Sequence, residues 1–288
     1  MSFWPRLSFI IGFALASAQV LSPGQIVYRF PNAKILAIQR EVADRGHSLR
    51  VLVNDGEQKA IKYVFLGSAA LPADYHSSSE PVSINLPRLR LGDWDEAYIH
   101  LDRRTRTYSI SNTTRRSHLE LMDFWHPRKI DYLEFTKVET LQPDRLQVVT
   151  HADFDAPVLI KIASFPWDVP SLKREAMSYR LLQGSGATPE FLGNVTENGR
   201  FIGFITEYIE EVLSIRGRNM QGCLAALQSL HRRGMAHGDA HDGNCLIRKN
   251  GSSVLIDFEL SVETWSFEEF ERDLDIMGRC IQALSEQS

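Results

Sequence analysis

Residues 237–247 read HGDAHDGNCLI, and residues 254–259 read VLIDFE. Asp239 precedes Asn244 by five positions, and Asp257 follows Asn244 by thirteen. Two short apolar segments, Cys245–Arg248 and Val254–Phe258, flank Asn250-Gly251, a dipeptide that turns a hairpin. Such a hairpin brings Asn244 face to face with Asp257. Their amide and carboxylate oxygens are hard ligands suited to Mg²⁺. Asp239 follows a helix that ends near Arg233, on a loop where a carboxylate can accept a proton. His237 and His241 have the H-x3-H spacing of some zinc sites. The plainer reading is preferred: His237 packs structurally and His241 shapes the loop. Cys245 reads as a small apolar residue.

The 288 residues suffice for about two domains and a core that needs no metal or disulfide support. Hydrophobic residues at 43% and charged residues at 24% exclude disordered, collagenous, coiled-coil and polytopic membrane chains. A net charge of -4 argues against polyanion binding by the chain as a whole. Cys223, Cys245 and Cys280 are too few for a disulfide framework, lack metal-ligand spacing and suit a reducing compartment. In residues 1–20, Arg6 precedes an apolar run from Leu7 to Ala16, and Ala16-Ser17-Ala18 has the form of a cleavage site. This stretch reads equally as a secretory signal or a buried N-terminus, and it is short for a membrane span. N-x-[ST] sites at Asn112, Asn194 and Asn250 mark surface positions only in a secreted chain. Location thus stays open between cytoplasm and secretory pathway.

Residues 21–125 read as a β-rich module with its linker. IVYRF (26–30), Ile35–Ile38, Leu49–Val53 and Ala60–Leu66 are strand-like, and Asn54-Asp55-Gly56 signals a hairpin. Pro72, Pro81, Pro87 and SSSEP (77–81) mark residues 67–93 as linker. Residues 98–110 predict another hairpin. Its Arg103, Arg104 and Arg106, with Arg115 and Arg116 beyond, read as a solvated face. Stacking aromatics do not interleave them, so no nucleic-acid partner is expected. From Ile130 the pattern predicts strands at Tyr132–Glu139, Leu146–Thr150 and Val158–Ala163. A helix over Ser171–Gln183 and strands at Glu190–Val195 and Phe201–Thr206 follow. Beyond these, Met220, Leu224, Leu227 and Leu230 form one helical stripe that Gly234 closes. Phe267, Phe270, Leu274, Met277, Ile281 and Leu284 form a second, core-facing stripe.

The H-x-D-x-x-x-x-N pattern of His237, Asp239 and Asn244, with Asp257-Phe258 after it, resembles the protein-kinase-like superfamily. The His-Gly-Asp-x-His form is closer to its aminoglycoside/choline phosphotransferase branch. FWHPRKID (124–131), FPWDVP (165–170) and FIGFITEYIEE (201–211) are similar to uncharacterised fungal kinase-like proteins. The resemblance is clearest over residues 130–288. It implies an α+β, two-lobed kinase-like fold at 126–288, with an N-lobe at 126–206, a hinge at 207–211 and a C-lobe at 212–288. It also implies ATP and Mg²⁺ as cofactors. Asp239 would be the catalytic base toward a hydroxyl acceptor, and Asn244 and Asp257 the metal ligands. Lys161, a charge within the strand VLIK (158–161), would hold the α- and β-phosphates. Glu175, fourteen positions on, would orient it. Glu207 and Ile209 would present main-chain groups to adenine.

Three features depart from that pattern. No glycine occurs between Gly92 and Gly184, so the phosphate-covering loop expected near 140–147 (TLQPDRLQ) lacks its glycines. Glu259 stands where D-F-G has glycine, as in choline-kinase-like proteins. Only 31 residues follow Asp257, leaving no A-P-E segment. An active phosphotransferase therefore competes with a degenerate, non-catalytic kinase-like binding module. An aminoglycoside-type enzyme is a third reading, which would need Glu263, Glu268, Glu269 and Glu271 as an acidic pocket rather than a wet helix face.

Overall fold

Alternating apolar and polar residues build the first half of the chain from strands. In a computed structural model of the protein, the described residues are 26–40, 46–72, 81–115, 125–210 and 220–285. The signal-like residues 1–20 and Arg116 lie outside them. Strands β2 (Ala33–Arg40), β3 (Gly46–Asn54), β4 (Lys59–Gly67), β6 (Glu96–Asp102) and β7 (Thr107–Thr114) form one sheet in the order β2-β3-β4-β6-β7. The β3–β4 hairpin turns at Asn54-Asp55-Gly56, where Asn54 and Asp55 accept bonds from following amides. Leu49, Val51, Val53, Val64 and Leu66 are buried on this sheet. The stretch taken as linker is partly core: β5 (Val82–Asn85) pairs in parallel with β1 (Ile26–Arg29), and Ile84, Leu86 and Leu89 are buried. Proline spacing did not distinguish a spacer from a strand ending in turns. Arg103, Arg104 and Arg106 are exposed, and Arg115 pairs with Asp93.

The second sheet has the order β8-β12-β13-β11-β10-β9. Its strands are β8 (Lys129–Asp131), β9 (Thr136–Gln142), β10 (Leu146–Thr150), β11 (Val158–Ile162), β12 (Phe191–Glu197) and β13 (Arg200–Glu207). Helix α1 (Val169–Leu182) leaves β11 and returns the chain to β12. The strand expected at Tyr132–Glu139 starts only at Thr136. Asp131 and Glu134 close a capping box that turns Tyr132–Glu134 into a 3-10 turn. Asn194 is buried, with Nδ2 bound to the carbonyls of His126 and Arg128, so that N-x-[ST] site is not on the surface.

The two sheets meet at the Asn198-Gly199 turn between β12 and β13, where both residues have positive φ. Glu197, 1% exposed, accepts from Arg50 at 2.5 and 2.8 Å, from Tyr63 at 2.8 Å and from Arg200 at 2.6 Å. Asn198 Nδ2 donates to the Ile61 carbonyl at 2.8 Å. Burial opposes the Arg50 charge, but Glu197 outweighs it and holds the guanidinium more strongly protonated than usual.

The remainder is helical with short hairpins: α2 (Met220–His231), β14 (Met235–Ala236), β15 (Cys245–Ile247), β16 (Ser253–Leu255), β17 (Val262–Glu263) and α3 (Phe267–Ser285). Leu227 and Leu230 of α2 are fully buried against Leu172, Tyr179 and Phe258. On α3 the expected stripe holds at Met277 but not at its start, where Phe267 is 72% exposed. Cys245 is buried yet is no simple apolar filler: it is disulfide-bonded to Cys223 of α2, leaving Cys280 free. Helix packing across 22 positions made that pair, which cysteine counting passed over. The architecture is α+β and strand-rich. Among the described residues, no helix is long and apolar enough to cross a membrane.

Candidate functional site

Strand β11 presents Val158, Ile160 and Ile162 to the apolar layer of the second sheet. Period two turns Leu159 and Lys161 to the opposite face. Helix α1 buries Leu172, Glu175, Tyr179 and Leu182 at spacings of three and four, so Glu175 lies within an otherwise apolar stripe. These two periodicities bring Lys161 and Glu175 together, with Nζ 2.6 Å from Oε2. Nζ also lies 2.9 Å from Asp257 and 2.7 Å from Glu259. Burial works against the Lys161 charge, but Glu175, Asp257 and Glu259 together hold the ammonium well above the ordinary lysine range. Burial pushes the Glu175 carboxyl up to about 7 against the pull of Lys161, and the neighbouring carboxylates add to the rise.

Asp257 caps the 3-10 turn Phe258–Leu260 with φ 63° and ψ 63°, a left-handed conformation that a residue other than glycine adopts at some cost. Fully buried Phe258 anchors the turn, its ring 5.5 Å from Tyr179 and 5.0 Å from His237. The turn leaves Asp257 facing Lys161 across the gap between the second sheet and the helical region.

Asp239 and Asn244 come from the loop between β14 and β15. Gly238 has φ +78°, and a Cβ there would sit 2.3 Å from the Leu260 carbonyl oxygen, so the loop needs glycine at this point. Asn244 Nδ2 donates to the Asp239 carbonyl at 2.9 Å and to Asp239 Oδ2 at 3.3 Å. That leaves the Asn244 amide oxygen as acceptor. The Ile256 amide donates to the Asn244 carbonyl at 3.0 Å, so the β15–β16 hairpin sets Asn244 beside the approach to Asp257. His241 Nε2 is 3.6 Å from Asp239 Oδ2.

His237 is fully buried, donates from Nε2 to the Ile256 carbonyl at 3.1 Å and is pushed toward its neutral form by burial. His241 Nδ1 accepts from the Gly243 amide at 3.0 Å. The two histidines therefore serve the loop rather than a shared metal. The residues that offer metal-compatible oxygens are Glu175, Asp257 and Glu259, whose ligand atoms lie within 4.8 Å of one another. With Lys161 among them, the three carboxylates share one ammonium. The Asp257 side chain is 38% exposed, so that carboxylate can be reached from solvent.

Sequence reading missed Asp273. It is 2% exposed on α3 and accepts from the His237 amide at 2.6 Å, the Gly238 amide at 3.0 Å and His231 Nε2 at 3.0 Å. Burial opposes its charge, but the His231 bond and both amides prevail and hold it below the usual carboxylate range. An acid on the same helical face as Phe270, Leu274 and Met277 was the available signal.

Glu207 ends β13, and its carboxylate grips Arg248 at 2.5 and 3.1 Å. The Glu207 amide, expected to face adenine, donates instead to the Glu190 carbonyl at 2.8 Å within the sheet. A cavity of about 590 Å³, lined by His126, Tyr179, Glu190, Glu207 and Arg248 among others, contains none of Lys161, Asp239, Asn244 or Asp257. It is separate from the charged cluster. Glu268 and Glu269 are bound by Arg272 along α3, which favours the wet-face reading over an acidic pocket. Compared with known proteins, the chain matches no family model and no curated sequence.

Proposed function

We propose that this chain is an ATP- and Mg²⁺-dependent phosphotransferase with a two-lobed, protein-kinase-like catalytic region over residues 126–288. The observation that carries the proposal is the convergence of Lys161, Glu175 and Asp257 from β11, α1 and the turn after β16. Asp239 and Asn244 stand on the adjoining loop. The placement of α1 directly after the lysine strand β11 supports this reading.

In this reading Asp257 and Asn244 would hold Mg²⁺, which would supply charge neutralisation to the phosphates. Asp239, open to solvent at the loop, takes the proton of an acceptor hydroxyl as its oxygen attacks the γ-phosphorus and the bond to ADP breaks. Glu175 orients Lys161. Tyr208 and Ile209 offer main-chain groups to the base. The acceptor is a hydroxyl on a protein or a small molecule.

Calorimetric titration with ATP, with and without Mg²⁺, tests the first half. Binding should depend on Mg²⁺ and be lost in Asp257→Ala. Transfer to a hydroxyl acceptor should then disappear in Asp239→Asn while ATP binding persists. Wild-type protein that ignores millimolar Mg-ATP would end the proposal. Protein that binds Mg-ATP but transfers no phosphate to any acceptor or to water would favour the degenerate, partner-binding reading.

A further inference from the structure

The turn between β9 and β10 carries no glycine to drape over a phosphate. Asp144 has φ 63°, Ser164 Oγ donates to its carbonyl, and the Ile162 amide donates to the Arg145 carbonyl at 2.9 Å. The turn is therefore tied to the end of β11. Instead of amides it contributes a side chain: Arg145, with 19% of its side chain exposed, reaches toward the charged cluster. Its Nη2 lies 2.6 Å from Glu259 Oε1 and donates to Ser171 Oγ at 3.0 Å. Its buried Nε has no hydrogen-bond partner among the described residues.

Lys161 Nζ lies 2.7 Å from that same Glu259 oxygen. Lys161 donates hydrogen bonds to Glu175 and Asp257 and forms an ion pair with Glu259. One anionic oxygen held between an ammonium and a guanidinium, with a guanidinium N–H left unmatched beside it, is the arrangement of an oxyanion site. The oxygen now in it belongs to the protein itself. Arg174 holds the Glu259 carbonyl at 2.6 Å, so the backbone can stay while the side chain leaves.

Resting on the phosphotransferase reading, we propose that Arg145 and Lys161 together form the phosphate-binding pair of this site, and that Glu259 is an internal anion that a nucleotide phosphate displaces. Two side-chain cations take the place of the missing glycine-loop amides. The arginine fork matches two phosphate oxygens, and its unmatched Nε–H gains a partner only when phosphate enters. Glu259, where the related pattern has glycine, lowers nucleotide affinity by competing for both cations. It is not a metal ligand in this scheme.

Calorimetry on the full chain with ATP, ADP and adenosine, in Mg²⁺, tests the pair through opposite signs. Arg145→Gln should weaken ATP at least tenfold and leave adenosine unchanged; Arg145→Lys, which keeps the charge without the fork, should fall between. Glu259→Gln should tighten ATP several-fold, a gain that misfolding cannot produce. Glu263→Gln, an exposed acid outside the cluster, should change neither. Wild-type binding of ATP with Arg145→Gln unaffected would overturn this inference and leave the phosphotransferase reading standing. Weaker Mg-ATP binding in Glu259→Gln would overturn it too, by making Glu259 a metal ligand. A wild type that binds no nucleotide at all would remove both.

Discussion

Asp273→Asn isolates what holds the Asp239 loop in place. The side chain is 2% exposed and receives three donors: the amides of His237 and Gly238 and the Nε2 proton of His231. Hydrogen bonds to a charged acceptor contribute about 1.5–3 kcal/mol each, and three bonds to one group do not sum independently. The carboxamide keeps one acceptor oxygen and turns an NH₂ toward groups that are themselves donors. A loss of about 3 kcal/mol is expected, at the lower end for breaking a buried ionic contact. Urea unfolding monitored by tryptophan fluorescence measures it. The pH dependence adds a second test. Because the folded state holds the Asp273 carboxyl below its ordinary value, its contribution is present above the unfolded pKa near 3.9. It is lost as pH falls through the lower, folded value. The gap between wild type and variant should be full at pH 7 and begin to close below about pH 4. The reasoning is refuted by a gap under about 1 kcal/mol at pH 7, or by one that widens in acid.

Glu197→Ala should destabilise the chain by about 3–5 kcal/mol, since it strands the guanidiniums of Arg50 and Arg200 in a buried interface. A chemical-denaturation midpoint unchanged from wild type would contradict that placement. Reduction should cost about 3 kcal/mol on the chain-entropy account of a 22-residue separation between Cys223 and Cys245. Thiol titration of the denatured, unreduced protein should find one free cysteine, and finding three would remove the disulfide. Glu175 has a folded value near 7, above its unfolded one, so its contribution is present below about pH 4.5 and is lost as pH rises through 7. Wild type should therefore lose stability relative to Glu175→Gln between pH 5 and 8, and the opposite slope in paired denaturation curves would refute it.

What the sequence by itself determined was local. Period-two and period-3.6 patterns placed β10, β11, α1 and β13 within a few residues, because backbone geometry decides which side chains share a face. Fixed spacing singled out Asp239, Asn244 and Asp257, since a short loop and a hairpin bring them near one another whatever surrounds them. The Lys161–Glu175 contact was expected through the resemblance, which pairs a lysine in a strand with an acid on the helix that follows. Tertiary structure alone decided the rest. Asp273 lies 34 positions beyond Asp239 and reaches the loop only because α3 packs beneath it. Arg50 meets Glu197 across 147 positions, and no local pattern encodes which buried charge finds which partner. The Cys223–Cys245 bond needed α2 laid against β15. Arg145 and Glu259, which read in the sequence as a missing glycine loop and a substituted glycine, acquire a shared purpose only when the β9–β10 turn folds over the cluster. Long-range charge pairing depends on which faces the core leaves to be buried together, and the whole chain sets that at once.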